Sequence, residues 1–308
     1  MATLNYAESY QQALANAFPY KLFFGELMNK TQGYRWVDAK TIQIPRLTTT
    51  GRVNSSRDNI GTASRNFDNS WETKTLTNQR KWSTLVHPMD IDQTNLVASI
   101  ANITKTFNEF QKFPEMDAYL ISKLYAAWTT TIADEGYTGH EASTEDVSDG
   151  DKILAEFDAM MLRMDNARVP LQGRVLYVTN EKKSLLKNAA KLTRTWDVQV
   201  QTIGAINRNV EYLDGVQVKA VPAELMKTAY SFTTGWAPAV GAGQINMFLV
   251  NPVAVITPIS YTFAQLESPS ALSEGKWVYF EESFEDAFIL NNQADALQFN
   301  VTAATPSA

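Results

Sequence analysis

The 308-residue chain contains no cysteine. A disulfide framework, a thiolate nucleophile and a Cys-ligated zinc site are therefore excluded. Histidine is almost as scarce. His87 and His140 are the only two, and neither has helical or Cys-x-x-Cys-type spacing to another metal ligand. No G-x-S-x-G, Walker A or dinucleotide fingerprint occurs, and Gly241-Ala242-Gly243 is too short and lacks a strand-to-helix setting. No apolar run is long enough to span a bilayer. The opening MATLNYAESYQQALANAF lacks the basic region and apolar core of a signal peptide, so a reducing cytoplasm is the expected place of synthesis and the sequons at Asn29, Asn102 and Asn300 are chance matches. A net charge of -6 argues against nucleic acid as partner of the whole surface. These absences predict a protein with no catalytic site, no cofactor, no metal centre and no membrane partner.

What is present is a chain long enough for a large core, with seven Trp and a folded protein's composition. The stretch Pro114 to Gly136, PEMDAYLISKLYAAWTTTIADEG, reads as its central helix. Proline opens it, Glu115 and Asp117 lie in the first turn, and glycine closes it, the asymmetry a helix prefers. Met116, Leu120, Leu124 and Ala127 share a face that Ile121, Trp128 and Ile132 widen. So broad an apolar surface must be covered on more than one flank. The terminal strands and the preceding helix are the expected cover.

Before that helix, residues 1–35 carry a loose helical pattern (Tyr10, Leu14, Phe18, Leu22, Phe23, Leu27) broken by Pro19, an arm that needs a surface to lie on. Thr41 to Ile44 alternates like a strand, residues 48–70 form a polar Gly/Ser/Thr/Asn tip, and WETKTLTNQRKWSTLVH reads as the returning strand of a protruding hairpin. From Ala39 to Trp82 eight basic residues face three acidic ones, a net of +5 that leaves -11 for the rest of the chain. Such a split fits one copy's arm lying on another copy's body, although on sequence alone a solvated basic loop is the simpler explanation of the charges. A helix with Leu96, Ile100, Ile103, Phe107 and Phe110 on one stripe follows, and Phe113 before Pro114 should stop or kink it.

Beyond Gly136 lies an acidic turn-rich loop, then a helix capped by Ser148 that buries Ile153, Phe157, Met160 and Met164. RVLYV is a buried strand, Asn180 caps a further helix with Leu185, Leu186 and Ala189, and Asp214-Gly215 makes a type I′ hairpin. Residues 150–240 thus read as an α/β unit. The remainder is strand in character: Ile245 to Leu249, Val253 to Tyr261, Trp277 to Phe280, and Phe288 to Val301. The cluster Glu281, Glu282, Glu285 and Asp286 is the one constellation suited to a hard cation, but without a calcium-loop pattern it reads as a solvated or interfacial acidic face. Lys182, Lys183, Lys187 and Lys191 read as an ordinary exposed face, His87 as a structural histidine, and His140 as at most a pH-sensitive partner of Glu141.

The order of these parts resembles the major capsid proteins of tailed bacteriophages, which have the Hong Kong 97 fold. WSTLVHPMDIDQTN is similar to the family's passage from extended hairpin into the P-domain, and VEYLDGVQVKAVPAELM to its A-domain hairpin. INMFLVNPVAVITPISYTFAQLESPS followed by KWVYFEESFEDAFIL resembles the P-domain β portion. The resemblance implies an α+β fold divided into an N-terminal arm (1–35), an E-loop hairpin (36–88), P-domain helices (89–137), an A-domain (138–243) and a P-domain β segment with tail (244–308). It implies a structural role: self-assembly into hexamers and pentamers of an icosahedral head shell, with the hairpin of each copy over its neighbour and Arg46, Arg52, Arg57, Arg65, Lys74 and Arg80 at the contact. The implied partners are further copies of the chain, a separate scaffolding protein, a portal, a decoration protein, and packaged double-stranded DNA held without sequence specificity. Assembly would take place in the bacterial host cytoplasm and the product would be the virion. Some members join neighbours through a Lys-Asn bond beside a Glu, and Lys40, Lys74 and Lys81 lie in the right region without an assignable partner. A nanocompartment shell shares the implied fold, and a phage tail or binding module is the more distant alternative.

Overall fold

The computed structural model describes residues 21–28, 33–54, 65–94, 99–133, 136–189 and 210–302. The readings placed on Tyr10, Leu14, Phe18, Arg57, Leu96 and Lys191 lie outside the described residues. Strands β1 (Arg35–Trp36), β2 (Thr41–Thr49) and β3 (Phe67–Thr75) form an antiparallel sheet in that order. The returning strand of this hairpin does not run on as one piece. It breaks at Leu76, which is buried, and at Thr77, whose backbone N–H and hydroxyl both donate to Asp286. Beyond that corner β4 (Gln79–Val86) enters a different sheet. The sequence WETKTLTNQRKWSTLVH is strand-like throughout, and only the buried carboxylate divides it.

Helix α1 (Pro88–Gln93) starts with proline after His87, whose Nδ1 accepts a hydrogen bond from the Met89 N–H at 3.1 Å. Helix α2 (Ile100–Phe107) does not stop at Phe113. A single π turn, Asn108–Lys112, joins it to α3 (Phe113–Thr129), and the linking residues keep right-handed helical dihedrals. Pro114 cannot donate the usual i→i-4 bond, and a π turn is a local way to absorb that loss without ending the helix. A helix continuous with α3 cannot also lie alongside it, so α2 is not the expected flank cover. At the other end α3 stops at Thr129 instead of Gly136. Thr130 is extended, and Ile132 pairs with Tyr137 around a turn where Gly136 has φ +66°. The run Thr129-Thr130-Thr131-Ile132 is β-branched and favours that switch.

Helix α4 (Gly150–Asn166) is capped by Asp149, which accepts from the Lys152 N–H at 2.9 Å, in place of the expected Ser148. Strand β5 (Val175–Thr179) is buried throughout, and Thr179, not Asn180, caps α5 (Asn180–Leu186). Strands β6 (Tyr212–Leu213) and β7 (Val216–Val221) flank Asp214 and Gly215, both at positive φ as a type I′ turn requires. There follow β8 (Tyr230–Ser231), β9 (Ala237–Pro238), β10 (Gln244–Val250), β11 (Val255–Ile256), β12 (Ile259–Glu267), β13 (Trp277–Glu285), β14 (Phe288–Ile289) and β15 (Leu297–Thr302).

The central sheet has the order β15-β10-β5-β7-β6, with β5 and β7 parallel and the other neighbours antiparallel. It takes strands from both the α/β stretch and the terminal β segment. Side-chain alternation divides its residues between two cores. Val175, Tyr177, Phe248 and Val250 join Leu120, Ile121, Leu124 and Trp128 of α3. Leu176, Val178, Met247 and Leu249 join Ile153, Phe157, Met160 and Met164 of α4. The expected cover of α3 by terminal strands is therefore present: Phe299 lies 5.0 Å from Trp128 and stacks on Phe248 at 4.4 Å. Its other cover is the 21–28 segment and Leu225 with Met226.

The N-terminal segment is tied down by a buried charge. Asp117 on α3 accepts the backbone N–H groups of Phe23 at 2.9 Å and Phe24 at 3.2 Å, and Phe24 packs on Tyr177. Asp117→Ala leaves buried donors unsatisfied, so it should destabilise the folded chain by about 2 kcal/mol and expose the segment near Phe24 to limited proteolysis. Urea unfolding and protease mapping check this; unchanged values for both would mean the segment is held by apolar packing alone.

Candidate assembly surfaces

The hairpin of β2 and β3 has two different faces. Ile42, Ile44, Glu72 and Lys74 point inward and are buried. Cross-strand register places Gln43 beside Thr73, Pro45 beside Trp71, Leu47 beside Asn69 and Thr49 beside Phe67 on the opposite face. Leu47, Phe67 and Trp71 are 67%, 51% and 43% exposed there, so a tip that reads as polar carries an apolar stripe. The Arg35 guanidinium lies 3.9 Å over Trp71, and Arg65 lies 5.0 Å over Phe67. The signal for this stripe was the apolar residue at alternate positions among threonines, which composition alone conceals.

The structure separates the residues expected at the inter-subunit contact. Arg52 and Arg65 are exposed and Arg46 is half-buried on β2, while Arg57 lies outside the described residues. Lys74 turns inward, 2.9 Å from Glu72 and 3.1 Å from Asn291. Arg80 reaches Glu115 at 2.6 Å and donates to the carbonyls of Phe232 and Gly235. It ties β4 to α3 and to the 232–235 loop.

The second exposed surface is the sheet β12-β13-β4. Its inner face carries Trp82, stacked on Phe107 at 3.9 Å, and Tyr279 beside it. Its outer face leaves Tyr261, Phe263 and Leu85 exposed, with Tyr261 and Phe263 near-parallel at 6.3 Å.

The acidic run on β13 is not a solvated face. Glu281 pairs with Lys112 at 3.1 Å, and the Asp286 carboxylate is fully buried. Asp286 accepts from the Thr77 N–H at 2.8 Å, the Tyr119 hydroxyl at 2.7 Å and the Ala287 N–H at 2.8 Å, with Lys123 at 3.4 Å. Among the described residues no group of three or more His, Cys, Asp or Glu is placed to hold a metal ion, and no helix is long and apolar enough to cross a membrane. Glu285 lines a cavity of about 440 Å³ with Arg80, Trp82, Phe107, Lys112 and Glu115. Burial raises its pKa above the ordinary carboxylate value, Lys112 opposes the shift, and Glu115 and Asp286 add to it. Two further titratable residues make contacts within the chain. His140 stacks on Trp128 and faces Asp295 at 3.7 Å, not Glu141. Lys183 donates to the Val218 carbonyl, and burial lowers its pKa.

No family model matches the sequence, and no curated protein matches it. Solved structures do match along nearly the whole chain. The mature capsid of bacteriophage PhiM1 aligns at 14% identity over 96% of this chain and 91% of its own, with a TM-score of 0.69. The capsid of cyanophage P-SCSP1u aligns at 14% identity over 97% and 93%, TM-score 0.66. The capsid of Ralstonia phage GP4 aligns at 10% identity over 98% and 96%, TM-score 0.60. The chain has the fold of bacteriophage capsid proteins. Within that α+β capsid fold, the hairpin and the β12-β13-β4 sheet are two of the described parts that leave large apolar side chains toward solvent, alongside single residues such as Met89, Leu162 and Tyr212.

The Glu285 environment gives a test with a defined sign. A carboxyl whose folded pKa is raised binds protons more readily folded than unfolded, so its contribution to stability falls as pH rises from about 4.3, the ordinary Glu value, through the raised value. Glu285→Gln removes that dependence. The stability difference, variant minus wild type, should therefore grow in favour of the variant across this window. Urea midpoints measured at pH values on either side would check it, and a difference that does not change with pH would contradict it.

Proposed function

We propose that this chain is the major capsid protein of a tailed bacteriophage, assembling from many copies into the icosahedral head shell that encloses double-stranded DNA. The observation that carries the reading is the match to phage capsid structures, which covers almost all of this chain and almost all of theirs. The role is structural rather than catalytic, and the site is the surface where copies meet. In this reading the hairpin within residues 36–88 lies over a neighbour, residues 138–243 meet at the local symmetry axes of hexamers and pentamers, and the helices of 89–137 with the β segment of 244–308 form the body of the shell.

Two features support the hairpin as the reaching element. Its outer face carries Leu47, Phe67 and Trp71 toward solvent, and apolar patches on a surface commonly mark contact sites. Its formal charge is +5 against -11 elsewhere, which suits steering and register on an acidic neighbour. Lys74 and Arg80 make their contacts within the chain, and the proposed charged contact set is Arg46, Arg52, Arg57 and Arg65, of which Arg52 and Arg65 are exposed. A scaffolding protein, a portal and a decoration protein are the further partners of this role, the host cytoplasm is the place of assembly, and the virion is the location.

Negative-stain imaging of the expressed protein tests the reading directly. Closed shells are expected. Particles filled with an enzyme cargo and free of DNA would instead indicate a nanocompartment, and a monomer or trimer that forms no shell under any assembly condition would overturn it. Replacing Arg52, Arg57 and Arg65 together by Glu should leave the subunit folded by circular dichroism. It should raise the concentration needed for assembly at least tenfold, about 1.4 kcal/mol. Unchanged shell yield would show that the arm's charge merely solvates it.

A further inference from the structure

The inner face of the β12-β13-β4 sheet does not close fully on the helix beneath it. A cavity of about 440 Å³ lies between β4, β13, the continuous α2–α3 helix and the 21–28 segment. Its size falls in the range of about 300–1,000 Å³ typical of small-molecule sites. Gly25 and Lys81 in its lining are exposed, so it communicates with solvent. Trp82, Phe107, Tyr119, Met116, Leu120 and Ile259 make much of the wall aromatic or apolar. The pleat places the charges among them. Trp82 lies opposite Glu281 and Arg80 opposite Ser283, and Glu285 is two residues farther along β13 on the same face.

The charged groups of this wall are unequally matched. Arg80 is held by Glu115 at 2.6 Å and by the carbonyls of Phe232 and Gly235. Lys112 is held by Glu281 at 3.1 Å. Asp286 is surrounded by Thr77, Tyr119, the Ala287 N–H and Lys123. Glu285 is the remainder. Among the described residues its carboxylate has no hydrogen bond or ion pair, and Lys112 acts on it as a more distant charge. The 21–28 segment and Ile259 contribute no charge to the wall.

This arrangement selects among ligands. An anion would have to displace Glu115 or Glu281 from cations already held. A neutral molecule would further enclose a carboxylate with nothing to compensate it, which is costly. A cation meets an unmatched carboxylate together with aromatic rings, whose faces attract positive charge. We propose that the cavity binds a small organic cation, a protonated amine with an apolar or aromatic body. Its ammonium pairs with Glu285 and its body lies against Trp82, Phe107 and Met116.

The pairing also fixes a pH dependence. Burial keeps the Tyr119 hydroxyl protonated, and Arg80, Lys112, Glu115, Glu281 and Asp286 already have partners. Glu285 is therefore the group whose ionisation the bound cation favours. Its own pKa is raised by burial, so affinity for the cation should fall as pH is lowered through the Glu285 titration.

Isothermal titration calorimetry of the purified chain with 2-phenylethylamine and n-hexylamine, each compared with its neutral alcohol, tests the proposal. Near neutral pH the amines should bind at least about tenfold more tightly than the alcohols. In Glu285→Gln that preference should vanish, and amine affinity should no longer change across the pH range in which wild type loses it. Circular dichroism checks that the variant is folded; if it is not, the wild-type pH profile and the amine-to-alcohol ratio still decide. Alcohols that bind as tightly as the amines, or amine affinity that stays level as pH is lowered, would overturn the proposal. So would undiminished amine binding by folded Glu285→Gln, or no binding of either amine at millimolar concentration. Shell formation is a separate readout: its failure bears on the proposed function and not on this cavity.

Discussion

The structure depends on the burial of α3. Leu120, Ile121, Leu124 and Trp128 are withdrawn from water against one face of the five-stranded sheet, and each large apolar side chain buried so contributes roughly 1.5–3 kcal/mol. Trp128 adds a polar fixing point, donating through Nε1 to the Ala294 carbonyl at 3.0 Å. With one sheet face filled by α3, the other must be filled as well, and α4 and α5 do so. The π turn at Asn108–Lys112 extends the same helix backward into α2. That extension brings Phe107 onto Trp82 and so pins β4 and its sheet. One helix thereby holds both the central sheet and the sheet next to the hairpin.

A single carboxylate sets the direction of the hairpin relative to that framework. Asp286 is fully buried but receives two backbone donors, two hydroxyls and the Lys123 ammonium. Surrounded so, its charge is stabilised by short charge-assisted hydrogen bonds instead of being stranded. Its bonds to Thr77 turn the chain between β3 and β4, which lets the hairpin leave the body while β4 stays in it. Glu72, Lys74 and Asn291 then fasten the hairpin's inner face at its base. The outcome is an arm rigid at its root, with Leu47, Phe67 and Trp71 on the side away from its own subunit. That geometry suits the contact between copies proposed above.

Much of the fold was legible locally. The apolar stripe of α4, the buried RVLYV strand, the Asp214-Gly215 turn and the apolar breadth of α3 each follow from spacing and turn chemistry. Boundaries were less legible. Proline before a helix usually ends the preceding one, but here α2 and α3 gain more from staying continuous, because Phe107 and the α3 face bury on different sheets. Glycine usually ends a helix, but a β-branched threonine run ended α3 seven residues earlier than Gly136. The candidate contact residues divided for a similar reason. A lysine or arginine has the same exposed reading in any polar stretch, and partners distant in sequence, at residues 115, 232, 235 and 291, help draw Lys74 and Arg80 inward.

The sequence by itself determined the elements, the two-faced character of the central strands, the charge difference between hairpin and body, and the absence of thiol chemistry. These depend on neighbours within a few residues or on composition, and local physics is enough to read them. The tertiary structure alone decided that one strand-like run would split between two sheets, that an acidic run would supply a buried hub at Asp286 and an ion pair from Glu281 to Lys112, and that Glu72, Lys74 and Asn291 would share an enclosure. Such outcomes rest on contacts between residues up to 217 positions apart. No local pattern encodes them, because the burial that gives each charge its partner exists only after the chain has closed on α3.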